Sequence, residues 1–355
     1  MLKSAVEKMD ANFWVTVTFS VTSLLTIVSV VYHPVIISII VIIGICISRY
    51  WRTFFRSRVV CKNKFIAITG CDSGFGYGLA QFLDRASCTV IAGCLYPDKD
   101  GAQNLKRCCS EKLCIIELDV TSNQSVKSYF DNVQSICGNN GLWGLVNNAG
   151  MQYFGEVEFL PLEYFQRNMD VNYFGMVRMC QASIPMLRRT KGRIINVTSV
   201  LGLYAVKYRA TYSPTKYAAE AFSDILRREM KKFGISVAIV EPGDFGDVTN
   251  VQQAEVIRRQ NDYAWNQCSE EIRNFYTEDY IKTIGLKHSY NKQKAFNNNI
   301  DYVLQTVDDA LFSKQPKTRY LIDGRGYTLD KYCWAARFVP FIPDRVLDTI
   351  VERCL

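Results

Sequence analysis

Beyond Lys62 short apolar runs alternate with longer amphipathic ones, the pattern of a parallel sheet covered on both faces by crossover helices. The predicted strands are Phe65–Thr69, Thr89–Gly93, Leu113–Leu118, Leu142–Val146, Arg193–Thr198, Ser236–Val240 and Arg319–Ile322. Between them fall predicted helices at Gly76–Arg85, Ala102–Ser110, Asn123–Ile136, Pro161–Arg189 and Tyr212–Lys232. Seven strands connected in this way make an α/β fold of the Rossmann type, a doubly wound sheet that binds ligands outside the carboxyl ends of its strands. A chain of 355 residues with 48% hydrophobic composition holds one such domain and its core. There is no internal repeat and no low-complexity tract.

Ahead of this domain, Ala11 to Ser48 contains no Asp, Glu, Lys or Arg. About 20 apolar residues span a bilayer core, so the stretch is read as a membrane segment. His33-Pro34 divides it, and a helix breaks or kinks at proline. Two short membrane helices, or one crossing plus an embedded extension, both satisfy the pattern. Arg49, Arg52, Arg56, Arg58, Lys62 and Lys64 follow, outweighing the mixed charges before Ala11, and the positive-inside rule then places the catalytic domain in the cytosol. The organisation expected is a membrane anchor at 1–60, a catalytic domain at 61–325 with a lid insertion at about 250–300, and an apolar or amphipathic tail at 326–355.

The net charge of +8 does not point to nucleic acid, because basic residues are dispersed apart from that flank. Thirteen cysteines without a Cys-x-x-Cys pair argue against a disulfide framework or a zinc site. With only His33 and His288, a histidine-based hydrolase or metal centre has little to build on.

The first predicted strand runs straight into Thr69-Gly70-Cys71-Asp72-Ser73-Gly74-Phe75-Gly76, which opens a helix. Glycines there let the backbone turn tightly and approach a pyrophosphate, whose charge a helix N-terminus favours. The candidate cofactor residues in this turn are Gly70, Ser73, Gly74, Phe75 and Gly76. Other strand ends add Asp119, suited to an adenine amino group or to a plain turn, then Asn148, Ala149 and Gly150, and finally Pro242 and Gly243. The second strand ends in Gly93-Cys94-Leu95-Tyr96-Pro97-Asp98 with no cation before Lys99, and Asp72 repels a phosphate. Both features favour NAD, with NADP kept open.

These residues resemble the short-chain dehydrogenase/reductase family from roughly Lys64 to Gly243. Gly70 to Gly76 and Leu142-Trp143-Gly144-Leu145-Val146-Asn147-Asn148-Ala149-Gly150 look like its branch of retinol and hydroxysteroid dehydrogenases. The resemblance implies an N-terminal anchor, placed in the endoplasmic reticulum membrane, and an active-site serine, tyrosine and lysine at Ser199, Tyr212 and Lys216, with the asparagine at Asn172. After Pro242-Gly243 the branch usually continues with aromatics and a threonine that meets the nicotinamide amide; here the run is Asp244-Phe245-Gly246-Asp247-Val248-Thr249, and no residue is assigned that contact.

The chemistry suits those residue types. The cofactor supplies hydride transfer, so the protein positions two carbons and moves one proton. Tyrosine, with an ordinary pKa of about 10, becomes an acid/base when a nearby ammonium favours its phenolate. Tyr212 and Lys216, four apart at a helix start, share one face. The resemblance further implies that Lys216 reaches the ribose, that Ser199 hydrogen-bonds the reacting oxygen as the candidate substrate contact, and that Asn172 holds a water linking Lys216 to solvent. Tyr290 and Lys294 repeat the spacing but lie in a polar stretch without a strand and helix scaffold.

The aromatics of the lid insertion, Tyr263, Trp265, Phe275, Tyr276 and Tyr280, form either a substrate wall or a small satellite core. The tail either docks on the bilayer or packs on the domain or on a second copy, and similar proteins pair as homodimers through helices equivalent to Pro161–Arg189 and Tyr212–Lys232. The expected activity is interconversion of a secondary or allylic alcohol and its carbonyl on a lipophilic substrate such as a retinoid or steroid. An NADPH-dependent ketone reductase and a catalytically silent membrane scaffold are the alternatives.

Overall fold

The computed structural model describes residues 11–29, 38–44, 57–245, 253–286, 300–324 and 330–354. The chain divides into two compact units, Met1–Arg58 and Val59–Leu355. In the first, helix α1 spans Ala11–Ser29 and a second helical stretch covers 38–44. Among the described residues no helix is long and apolar enough to cross a membrane. The run of α1 includes Thr16, Thr18, Ser20, Thr22, Ser23 and Thr26. Thr26 spends its hydroxyl on the Thr22 carbonyl one turn back, at 2.6 Å. His33-Pro34 and the arginines at 49, 52 and 56 lie outside the described residues.

The second unit carries the sheet. In chain order come β1 Phe65–Thr69, α2 Gly74–Arg85, β2 Thr89–Cys94, α3 Asp100–Cys108, β3 Leu113–Glu117, α4 Asn123–Cys137 and β4 Gly144–Asn147. Then follow α5 Leu162–Met169, a π-helical stretch Asp170–Phe174, α6 Gly175–Thr190, β5 Arg193–Val197, α7 Ser213–Met230 and β6 Ser236–Pro242. The remaining elements are α8 Ala254–Gln267, α9 Glu270–Phe275, α10 Glu278–Thr283, α11 Asp301–Phe312, β7 Arg319–Ile322, α12 Lys331–Phe338 and α13 Asp344–Cys354. The strands lie in the order β3-β2-β1-β4-β5-β6-β7, all parallel, so the connection reverses direction between β1 and β4. That reversal opens a crevice at the strand ends.

Both sheet faces are buried, and strand alternation divides the core in two. Ile66 and Ile68 of β1 join Val90, Val146 and Ile195 beneath α2 and α11, whereas Ala67 joins Ile91, Leu145 and Ile194 beneath α4, α6 and α7. Six of the helices, α8 to α13, were not among those predicted. The predicted helix Pro161–Arg189 is one continuous run in three parts, interrupted by the π turn, and the remaining predicted boundaries move by one or two residues. The lid aromatics settle into a satellite core: Tyr164 stacks on Tyr153 at 3.7 Å, and Tyr276 meets Phe159 edge-on at 5.3 Å. Trp265 and Tyr276 are its aromatic lid members; Tyr263 and Tyr280 lie exposed at its edge, and Phe275 is 86% exposed.

Candidate active site

Thr69, at the carboxyl end of β1, sets the geometry of the crevice. Its buried hydroxyl accepts the backbone N–H groups of Asn148 at 3.0 Å and Ala149 at 2.9 Å, stitching the ends of β1 and β4 together. The Asn148 amide returns the bond to the Thr69 and Gly70 carbonyls. This fit requires glycine twice over. Gly70 has φ +70°, and a Cβ there would stand 2.9 Å from Ala149 Cα; a Cβ on Gly76 would overlap the Gly70 carbonyl and come within 2.6 Å of the Asn148 amide nitrogen. Ser73 precedes α2 in extended conformation and makes no side-chain cap, so the first-turn N–H groups of a 12-residue helix have no capping side chain. An uncapped helix N-terminus against a glycine turn fits the pyrophosphate of a dinucleotide. Phe75 packs edge-on against Phe245 at 5.2 Å.

Asp72 points away from that turn. Its carboxylate accepts Leu95 N and Tyr96 N, each at 2.9 Å, which fixes a negative charge at the loop after β2. Asp119 beyond β3 spends one oxygen on Thr121 N and Thr121 Oγ1, the turn that its sequence context allowed.

The four side chains expected to do chemistry converge beyond β4 and β5. Lys216, 4% exposed, donates to the Val197 carbonyl at 3.1 Å and lies 5.4 Å from the centre of the Tyr212 ring. Asn172, 1% exposed in the π turn, accepts Met151 N and donates to Met151 O, both at 2.9 Å, and donates to Thr215 Oγ1 at 3.0 Å. Thr215 Oγ1 in turn donates to Tyr212 O at 2.7 Å, so Asn172 and Tyr212 share a single hydroxyl link. A Cβ on Gly150 would stand 3.4 Å from Asn172 Oδ1 and 3.8 Å from Lys216 Nζ, which puts both groups within 4 Å of one position. Ser199, extended and 7% exposed, accepts Leu201 N at 3.2 Å and so starts the short turn Val200–Gly202.

The loop after β6 completes the rim. Gly243 N donates to Ile322 O at 2.9 Å, and a Cβ on Gly243 would overlap Asp330 Oδ2 and come within 2.7 Å of Cys333 Sγ. Asp247 and Thr249 lie outside the described residues, as do His288, Tyr290 and Lys294. Three contributors escaped the sequence reading. Thr69 and Thr215 sit beside motif residues as ordinary-looking threonines, and Asp330 is distant in sequence from everything it touches.

Behind the site lies an acid cluster. Glu220, one turn after Lys216, and Glu241, beside Pro242, are 6% and 3% exposed and both face Arg319 of β7, with Glu241 Oε1 at 2.9 Å. Arg319 also reaches Asp224 at 2.9 Å. Burial raises the Glu220 carboxyl, and burial together with the Glu220 charge pushes Glu241 up to about 7. An open groove of 1280 Å³, lined by Tyr153, Tyr164, Arg167, Arg178, Arg259 and Tyr263 among others, includes none of the four side chains expected to do chemistry. The site is therefore defined by side-chain geometry and not by that groove.

A doubly wound sheet with a glycine turn at its crevice is an architecture that fits a nicotinamide dinucleotide. Residues 64–259 match the family model of the short chain dehydrogenases, and the chain belongs to that family. It is 40% identical to retinol dehydrogenase 16 of Mus musculus over 271 residues, 75% of this chain and 84% of the relative. It is 36% identical to 17-beta-hydroxysteroid dehydrogenase type 6 of Bos taurus, over 86% of this chain and 93% of the relative. The mitochondrial D-beta-hydroxybutyrate dehydrogenase of Rattus norvegicus is also 36% identical, over 80% of this chain and 82% of the relative. The chain is thus an NAD(P)-dependent alcohol dehydrogenase or reductase of the retinol and hydroxysteroid dehydrogenase branch.

Proposed function

We propose that this enzyme interconverts a lipophilic secondary or allylic alcohol, of the retinoid or steroid class, and its carbonyl compound, with NAD as the preferred cofactor. The observation that carries the reading is the convergence of Tyr212, Lys216 and Asn172 through Thr215, Val197 O and Gly150, beside a glycine turn that fits a pyrophosphate. The dinucleotide, when bound, supplies the hydride acceptor or donor. Tyr212 as phenolate takes the alcohol proton in oxidation, and as phenol gives a proton to the carbonyl oxygen in reduction. The ammonium of Lys216, buried four residues further along α7, stabilises negative charge on that oxygen, and the Ser199 hydroxyl holds the reacting oxygen of the substrate. Asn172, pinned by both backbone groups of Met151, keeps the far side of Lys216 polar. The Asp72 charge at the loop after β2 supports NAD over a cofactor bearing a 2′-phosphate.

Membrane association belongs to the same reading. Its support is the uncharged stretch from Ala11 to Ser48 followed by the arginine cluster, with the endoplasmic reticulum as the membrane and the catalytic domain on the cytosolic side. The domain limits at 60 and 325 and pairing into a homodimer are proposed on the same footing. A short hydroxy acid is a second substrate reading, favoured by the similarity to a D-beta-hydroxybutyrate dehydrogenase.

The test is reduced-cofactor formation by the full chain in detergent or membranes, with NAD and NADP in parallel, against retinols, hydroxysteroids and 3-hydroxybutyrate, alongside Tyr212→Phe. The expected result is NAD-linked turnover of a lipophilic alcohol, lost at least a hundredfold in Tyr212→Phe while NADH binding persists. Turnover that survives Tyr212→Phe undiminished refutes the assignment of the proton-transfer group.

A further inference from the structure

Asp330 is 1% exposed and stands at the start of α12, where an aspartate ordinarily caps its own helix. It does that with one oxygen: Asp330 Oδ1 accepts Tyr332 N at 2.9 Å. The other oxygen leaves the helix altogether. Asp330 Oδ2 accepts Asp244 N at 2.9 Å, from the loop after β6, and Gly324 N at 2.9 Å, from the segment after β7. Cys333 Sγ lies 3.8 Å from the same oxygen. The packing is close enough that two glycines are required: a Cβ on Gly243 would overlap Asp330 Oδ2, and a Cβ on Gly324 would come within 2.6 Å of Asp244 N. A second tie reaches α12 from the segment after β5. Tyr204, fully buried beyond the turn that Ser199 opens, donates its hydroxyl to Tyr332 O at 3.1 Å, and Val200 and Leu201 pack with Cys333, Ala335 and Ala336.

We infer that Asp330 is a positioning residue that couples the C-terminal helix α12 to the cofactor side of the active site. The inference rests on the reading of Pro242 and Gly243 as cofactor-binding. One carboxylate oxygen fixes the backbone just past those residues, and the other fixes the first turn of α12. The helix is in turn held by the turn that presents Ser199. Displacement of α12 therefore moves the cofactor rim and the substrate-side serine together, and occupation of the cofactor site holds α12 in place.

The test separates this clamp from plain helix capping. Asparagine caps helices as well as aspartate, so Asp330→Asn keeps the bond to Tyr332 N while turning its second acceptor into an NH2 group that faces the Asp244 and Gly324 donors. The measurements are NADH and NADPH affinity by fluorescence titration of the full chain, and hydrogen exchange of residues 330–338 with and without saturating reduced cofactor. The expected result is a circular dichroism spectrum like that of the unsubstituted protein, reduced-cofactor affinity weakened roughly tenfold or more, and slowed exchange at 330–338 on cofactor binding to the unsubstituted protein. Unaltered affinity in Asp330→Asn, with exchange at 330–338 indifferent to cofactor, overturns the inference and leaves the cofactor site standing. If the unsubstituted protein binds neither nucleotide, the cofactor reading and the inference fall together. Should Asp330→Asn not fold, the exchange measurement on the unsubstituted protein decides alone.

Discussion

Gly76 and Gly78 lie two residues apart in α2, and alanine at each separates a glycine that the site requires from one that the helix merely contains. At position 78 an added methyl meets the Ile300 Cδ1 methyl at 2.5 Å, the free end of a side chain that can swing aside. Alanine also gains up to about 1 kcal/mol of helix propensity over glycine, which offsets the repacking. Gly78→Ala is expected to unfold within about 2–4 °C of the unsubstituted protein and to bind NADH normally. At position 76 the methyl meets the Gly70 carbonyl and the Asn148 amide, neither of which can move alone, since Asn148 is held by Thr69 at two points and by the Gly70 carbonyl at a third. The turn and the first helical residues must separate, at the roughly 1–3 kcal/mol typical of overpacking. If that gap opens where the pyrophosphate sits, NADH affinity falls by roughly 5- to 150-fold, at 1.4 kcal/mol per decade. Fluorescence titration with NADH and a thermal melt on each variant give both numbers. Undiminished binding in Gly76→Ala would falsify the placement of the cofactor at this turn, as would an equal loss in Gly78→Ala.

The acid cluster yields two further expectations. Glu241 is pushed up to about 7 by burial and by Glu220, against 4.5 for an ordinary glutamate, so the folded protein keeps a proton that the unfolded chain releases. Stability contributed by that proton is present below about pH 4.5 and lost as pH rises to 7; Glu241→Gln removes this slope, worth up to about 3 kcal/mol across the window, and urea melts at pH 5 and pH 8 should be closer in the variant than in the unsubstituted protein. Arg319→Met leaves Glu220 and Glu241 buried without their shared counter-charge, and urea unfolding should show a loss of about 3–5 kcal/mol at pH 8; a loss under about 1 kcal/mol means that the cluster is not held by that arginine.

The sheet was legible because its strands are short, apolar and bounded by turn residues, and because both faces are buried. Site residues that follow a strand end, such as Gly70, Asn148 and Ser199, were legible for the same reason: the topology brings all strand ends to one edge. Helix α11 carries an equally readable period, with Val303, Leu304, Val307, Ala310 and Leu311 buried, yet Asp301, Asp308 and Asp309 give the stretch the look of a solvated approach to the last strand. The lid helices α8 to α10 are short and polar on most of their surface, and their order comes from tertiary contacts such as Asn261 bonding Ile284 O at 2.8 Å. Asp330 was illegible in principle, because its partners at Asp244 and Gly324 are backbone groups and leave no mark in residue type.

The π turn at Asp170–Phe174 makes the candidate site depend on counting as much as on chemistry. Gly175 N reaches back five residues to Asp170 O, where an α-helix would reach four. One surplus residue is thus wedged into the run from Leu162 to Thr190, and it rotates everything after it by about 100° relative to everything before. On one side of the wedge, Tyr164 and Asn168 turn inward; on the other, Met179, Cys180 and Leu187 meet the sheet; Asn172 sits in the wedge itself. Deleting any residue of the wedge permits an unbroken α-helix with every backbone bond made, and swings one of the two faces out of register with its neighbours. A local gain in helical regularity at this place would thus displace the asparagine that bonds Met151 and Thr215. Relatives that keep every named side chain but differ by one residue between Leu162 and Thr190 would carry the same letters and a different site.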